Sequence, residues 1–255
     1  MIKLAIYGKG GIGKSTTVSN ISAALAEKGL KVMQIGCDPK SDSTLGLYHG
    51  TKPMMSILET MRQKGDDFTL DEITKIGYNN VICVESGGPT PGVGCAGRGI
   101  IAALEKLNEK GAYEKFTPDV VLYDCPGDVV CGGFSMPMRQ GYADLVYIVT
   151  SGENMSLYAA ANIATAIANF KNRGYASLGG FILNKRNVAH EDEKVAELAQ
   201  DFSSAIVGTI DRSELVQAAE EQHMCLLEAY PDSEQADAYR KLADNILRIS
   251  QSEVK

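Results

Sequence analysis

Residues 8 to 16 read GKGGIGKST, and they lie between the apolar run KLAIY and a stretch of helical periodicity. Few features restrict a fold so strongly. The pattern G-x-x-x-x-G-K-[ST] works where a strand delivers the chain into a tight loop and a helix starts at once, because loop N–H groups and the helix N-terminus then bind phosphate together. The same alternation continues down the chain. The runs KLAIYG, KVMQIGCD, NNVICVE, DVVLYDC, DLVYIVT, LGGFILNK and AIVGTI are separated by helices expected at 15–28, 99–110, 154–172, 190–202, 213–222 and 233–250. Short β-rich runs joined by helices predict parallel strands with right-handed crossovers. The expected fold class is α/β, a P-loop NTPase with a mostly parallel sheet flanked by helices, as one domain over residues 1–255. In such a sheet ligands collect at the carboxyl ends of strands, here the loops after residues 7, 37, 84, 124 and 183.

In the first of these loops, glycines at Gly8, Gly10, Gly11 and Gly13 let the backbone, Ile12 and Thr16 included, curl around phosphate oxygens. Lys14 supplies a cation to the β- and γ-phosphates, and Ser15 coordinates magnesium. The second strand ends in GCDPKSDST, which brings Asp38 and Asp42 to the phosphate edge. One carboxylate suits the orientation of water and the other the hydration shell of Mg²⁺; the plainer reading is two loop acids or helix caps. Asp124, closing DVVLYD, is the expected Walker B carboxylate, and Gly127 is placed to turn its N–H toward a γ-phosphate. MgATP is the expected ligand.

Composition narrows the function classes. With 44% hydrophobic and 22% charged residues the chain reads as globular, and a net charge of −7 argues against a protein that works mainly on nucleic acid. No apolar stretch reaches the roughly 18 residues that span a bilayer, and MIKLAIYGKG runs from the first Met straight into a strand, so no membrane partner and a cytoplasmic location are expected. In a reducing compartment the six cysteines read as buried thiols, metal ligands or redox groups. Cys95 and Cys131 share glycine-rich settings, GVGCAGRG and VVCGGF, whose dense N–H groups suit sulfur ligands of an iron–sulfur cluster. Two thiolates cannot complete a [4Fe–4S] shell, but a two-fold dimer supplies both residues twice and places one cluster on its axis. A buried structural thiol remains the alternative for either, and Cys125 the alternative ligand within one chain. Cys37, Cys83 and Cys225, in or beside apolar segments, are expected to be buried.

Taken together, AIYGKGGIGKSTT, GCDPKSDST, ESGGPTPGVGCAGRG, YDCPGDVVCGGFSMPMR, EDE and QADAYRKLA resemble the nitrogenase iron protein family over nearly the whole chain. These are homodimeric ATP-dependent reductases that include relatives in chlorophyll, coenzyme F430 and sulfur metabolism. The resemblance implies that Cys95 and Cys131 ligate one [4Fe–4S] cluster per dimer. It also implies that Lys14, Ser15, Asp38, Asp42 and Asp124 serve the nucleotide. Lys9, the extra lysine of the deviant Walker A subclass, is implied to reach across the dimer to the partner's nucleotide. Asn184, Gln235 and Tyr239 match positions near the adenine, and Arg98 matches the docking face. The implied partners are a second copy of the chain, a nitrogenase or nitrogenase-like catalytic protein, and an upstream ferredoxin or flavodoxin-type donor. Two features depart from the pattern: the chain stops soon after its last helix, where nitrogen-fixing members usually carry a further tail, and DCPGD replaces DVLGD. The partner enzyme therefore does not follow from the resemblance. A septum or plasmid-partition positioning ATPase shares the Walker A motif but needs no cysteine loops, and an iron–sulfur carrier ATPase typically uses a C-x-x-C pair.

Overall fold

The strands are β1 (Ile2–Tyr7), β2 (Val32–Gly36), β3 (Thr74–Ile76), β4 (Ile82–Glu85), β5 (Val120–Asp124), β6 (Leu145–Thr150), β7 (Ser177–Asn184) and β8 (Ile206–Ile210). A computed structural model describes residues 1–88, 96–127, 136–139, 141–170 and 174–253. Within them the eight strands form one sheet in the order β3-β4-β2-β5-β1-β6-β7-β8. Every neighbouring pair is parallel except β3 with β4. The chain first travels outward from β1 to β2 and β4, then returns to β5 and continues outward past the other side of β1. The reversal leaves a crevice at the carboxyl ends of β1, β5 and β2, where doubly wound sheets bind ligands.

The helices are α1 (Lys14–Glu27), α2 (Ile57–Lys64), α3 (Leu70–Ile73), α4 (Ala96–Glu109), α5 (Ala112–Phe116), α6 (Asn154–Phe170), α7 (Glu191–Asp201), α8 (Glu214–Glu221), α9 (Leu226–Ala229) and α10 (Glu234–Glu253). Strands β2, β5 and β6 are buried along their whole length, as expected of central strands covered on both faces. Alternate residues feed two cores. Tyr7, Ile35 and Tyr123 pack with Ile57 of α2, Leu104 of α4 and Ile163 of α6 on one face. Ile6, Leu122 and Val149 pack with Ile21 of α1 and Ile246 of α10 on the other.

All seven strands and all six helices read from the sequence are present within a few residues, and α4 begins at Ala96 rather than at 99. The structure adds β3, α2, α3, α5 and α9. Four of these are three to five residues long, too short to show a period. Helix α2 is eight residues with a defined start: Ser56 Oγ accepts from the N–H of Glu59 at 3.3 Å, and Gly65 ends it at a φ of 61°. It also anchors the strand end beside it, since the N–H of Leu58 donates to the carbonyl of Ser86 at 3.1 Å and Arg62 Nη1 to that of Gly88 at 2.8 Å.

Candidate functional site

The loop from Gly8 to Gly13 turns over the carboxyl ends of β1 and β5 and enters α1 at Gly13, whose φ of 88° is a left-handed conformation that suits glycine. A Cβ at Gly13 would stand 2.6 Å from Nδ2 of Asn184. The end of β7 fastens this loop from the side. Asn184 Nδ2 donates to the carbonyl of Ile12 at 2.6 Å and Arg186 Nη2 to that of Gly11 at 2.7 Å. With these carbonyls held outward, the loop is free to present its N–H groups inward. Gly127 closes on the other side, where a Cβ would come within 2.8 Å of Lys9 Cα. Between them lies a cavity of about 490 Å³ lined by Lys9, Gly10, Gly11, Gly13, Lys14, Ser15 and Thr16, by Asp38 and Asp42, and by Gly127, Asn184, Gln235 and Tyr239. Gly8 and Ile12 are buried under the loop, and Asp124 under Lys14.

The floor is a polar network sealed from solvent. Lys14 Nζ meets Asp124 Oδ1 at 3.0 Å with both side chains buried. Burial opposes the lysine charge, but the Asp124 carboxylate outweighs it and holds the ammonium above the ordinary lysine range. Asp124 Oδ2 accepts from Ser43 Oγ at 2.7 Å. Gln34, in the middle of β2, donates to Ser43 at 2.9 Å through its hydroxyl and at 3.0 Å through its carbonyl, and Ser19 of α1 donates to the same carbonyl at 2.9 Å. Each group therefore fixes the next, and such a network holds the lysine cation in one place. Tyr239 of α10 is buried, and burial raises its hydroxyl above the ordinary tyrosine range, so it remains a neutral phenol. Gln235 Nε2 donates to the carbonyl of Asp211 at 2.9 Å.

Thirteen of the residues expected from the sequence thus meet at one cavity. Sequence reasoning missed several others. Lys185, Arg186, Asp211, Arg212 and Glu220 also line it, and Ser43 and Gln34 build its floor. Asp211 and Arg212 follow β8 directly, so the strand-end rule that pointed to five other loops reaches this one as well. Arg98 is exposed on the first turn of α4. Cys37, Cys83, Cys125 and Cys225 are buried free thiols. Cys125 faces the core, where it interacts with Tyr7 and Cys37; its hydrogen bond and burial push the Cys37 thiol well up. Cys95 and Cys131 lie outside the described residues, which contain no group of three His, Cys, Asp or Glu side chains able to hold a metal ion. Among the described residues no helix is long and apolar enough to cross a membrane.

Fold and cavity together define a nucleotide-binding protein of the P-loop class. Among solved structures, the cell division ATPase MinD of Pyrococcus furiosus superposes with a TM-score of 0.74, covering 98% of this chain and 100% of that one at 21% identity. At that identity the likeness speaks for the fold alone. The sequence itself decides the family. Residues 2–254 match the model of the 4Fe-4S iron sulfur cluster binding proteins of the NifH/frxC family, and the chain belongs to that family. The nitrogenase iron protein of Methanococcus voltae is 49% identical over 96% of this chain and 88% of its own length. That of Methanospirillum hungatei JF-1 is 50% identical over 97% and 88%. A [4Fe–4S] cluster and MgATP are the cofactors of this family, and an ATP-dependent reductase is the class of function that membership supports. The donor set fits the nucleotide: a glycine loop in which a Cβ at Gly8 or Gly13 would clash, one buried lysine and two carboxylates at the rim.

Proposed function

We propose that the chain is the reductase component of a nitrogenase or nitrogenase-like system, a homodimer that uses MgATP to deliver low-potential electrons to a catalytic partner. The observation that carries this reading is the position of Gly127. It touches the phosphate loop through Lys9 on one side and precedes Cys131 by four residues on the other. Lys14 and Ser15 hold phosphate and magnesium, Asp38 and Asp42 position water and the hydrated metal, and Lys9 serves the partner's nucleotide. Asn184, Gln235 and Tyr239 bound the base. Cys95 and Cys131 from two copies hold the cluster, and when bound the cluster supplies the electron. A shift of Gly127 with the γ-phosphate is passed along the same loop to Cys131, which couples nucleotide state to the cluster's surroundings. Pro126 and Cys125 stiffen and bury the root of that loop. Arg98 marks the docking face, and a ferredoxin or flavodoxin-type protein resupplies the electron. The chain works in the cytoplasm.

Anaerobic purification tests this. About four irons per dimer in one reducible cluster are expected, lost in Cys95→Ala and Cys131→Ala and kept in Cys125→Ala. MgADP with aluminium fluoride should then trap a nitrogenase-type or related catalytic protein, and Arg98→Glu should abolish that capture while leaving cluster and dimer intact. A colourless dimer, or a full cluster in Cys131→Ala, would refute the reading.

A further inference from the structure

Strand β4 ends in a buried carboxyl for which the nucleotide chemistry above has no task. Glu85 is fully buried, and its Oε1 accepts from the N–H of Thr44 at 2.8 Å and from Thr44 Oγ1 at 2.7 Å. Its Oε2 is also buried and has no hydrogen-bond partner. Gly36, the last residue of β2, makes room for that oxygen, since a Cβ there would overlap it. A half-satisfied buried carboxyl is costly, and an apolar side chain would fill the place more cheaply.

Glu85 holds the end of the carboxylate segment. Asp42 stands two residues before Thr44, and Ser43 between them is bonded to Asp124. The bonds from Thr44 to Glu85 therefore fix the place from which Asp42 reaches the cavity. In the other direction the chain leaves Glu85 through Ser86, whose N–H donates to the carbonyl of Gly36 at 2.8 Å, and reaches Cys95 ten residues after Glu85.

We propose that Glu85 is a positioning residue for the Asp42 segment: its bonds to Thr44 set Asp42 against the bound nucleotide. The electrostatics agree with the geometry. Burial pushes the Glu85 carboxyl up to about 8, the Thr44 bonds pull it back, and Asp124 and Asp42 push it further. A carboxyl that keeps its proton holds Thr44 without adding another anion beneath the phosphates.

The test compares wild-type protein, prepared anaerobically at full length, with Glu85→Gln, Glu85→Ala and Thr44→Val. MgATP affinity is measured by displacement of a fluorescent nucleotide. Glu85→Gln keeps an oxygen for Thr44 and is expected within about twofold of wild type. Glu85→Ala and Thr44→Val are expected to weaken MgATP by roughly 5- to 10-fold, the loss of one or two buried bonds. If Glu85→Ala does not fold, Thr44→Val decides with Glu85 in place. Wild-type affinity in the variants, or a Gln variant as damaged as the Ala variant, overturns the positioning role. A wild type that binds no MgATP refutes the nucleotide reading instead.

Discussion

Strands β5 and β4 end alike and are finished differently. Each closes on a fully buried acid, Asp124 in one and Glu85 in the other, and each leads on to a cysteine, Cys131 seven residues after Asp124 and Cys95 ten after Glu85. Asp124 has the Lys14 ammonium at 3.0 Å; Glu85 has an N–H and a hydroxyl from Thr44. Two equally buried carboxyls are thus given different partners. A cation in bonding reach makes an ion pair that must be kept whole, whereas two neutral donors leave an acid that retains its proton well into the neutral range. On the proposed function, the first end senses a phosphate that competes for its lysine, and the second holds the Asp42 segment in place.

The sharpest way to break this contrast is to remove the cation. Lys14→Gln is expected to weaken MgATP by about 10- to 100-fold and to destabilise the protein by roughly 3–5 kcal/mol, because Asp124 is left as an uncompensated buried charge. Nucleotide displacement and urea unfolding measure the two effects. Adding Asp124→Asn should recover most of the stability and none of the binding. If the single variant unfolds like wild type, Asp124 is not a buried charge in need of its partner.

The sequence told much of the first end and little of the second. The phosphate loop and Asp124 were legible because their spacing is dictated by a ligand: a lysine follows the last glycine, and an acid closes an apolar run. Asn184, Gln235 and Tyr239 came only through resemblance, since nothing in NKRN or QADAY points to a purine. Glu85 escaped because a glutamate closing ICVE looks like any acid at a strand end, and its partner Thr44 lies 41 residues away in sequence. Ser43 and Gln34 escaped for the same reason, as a buried network across strands has no period. Arg186 was two residues from a residue already singled out.

A milder test uses pH. The folded carboxyl of Glu85 sits near 8, above its unfolded value near 4.3, so its neutral form adds stability that is fully present below the unfolded value. That stability is lost as pH rises toward about 8, by roughly 1.4 kcal/mol per pH unit between the two values. Glu85→Gln cannot ionise. Its stability relative to wild type should therefore climb with that slope from pH 5 to 8 and level off above. Chemical unfolding at four or five pH values measures the difference; a flat difference would mean that Glu85 is ionised in the folded protein and that the two strand ends are alike after all.

The smallest expected effect concerns how the β4 end is anchored. Arg62 reaches from α2 to the carbonyl of Gly88 at 2.8 Å, while its other nitrogens engage Glu59 one turn back. The side chain is exposed, so the pair with Glu59 contributes little, and the bond to Gly88 adds to the one that Leu58 of α2 gives Ser86. Gly127 rests directly on the phosphate loop. Arg62→Ala should cost about 1 kcal/mol in unfolding, leave iron content and MgATP affinity unchanged, and raise the rate of iron release without nucleotide by about twofold. With MgATP the rate should match wild type, because Gly127 still answers the phosphate. An equal increase with and without MgATP would show that the two ends do not divide the work, one tethered by a helix and the other by the nucleotide loop.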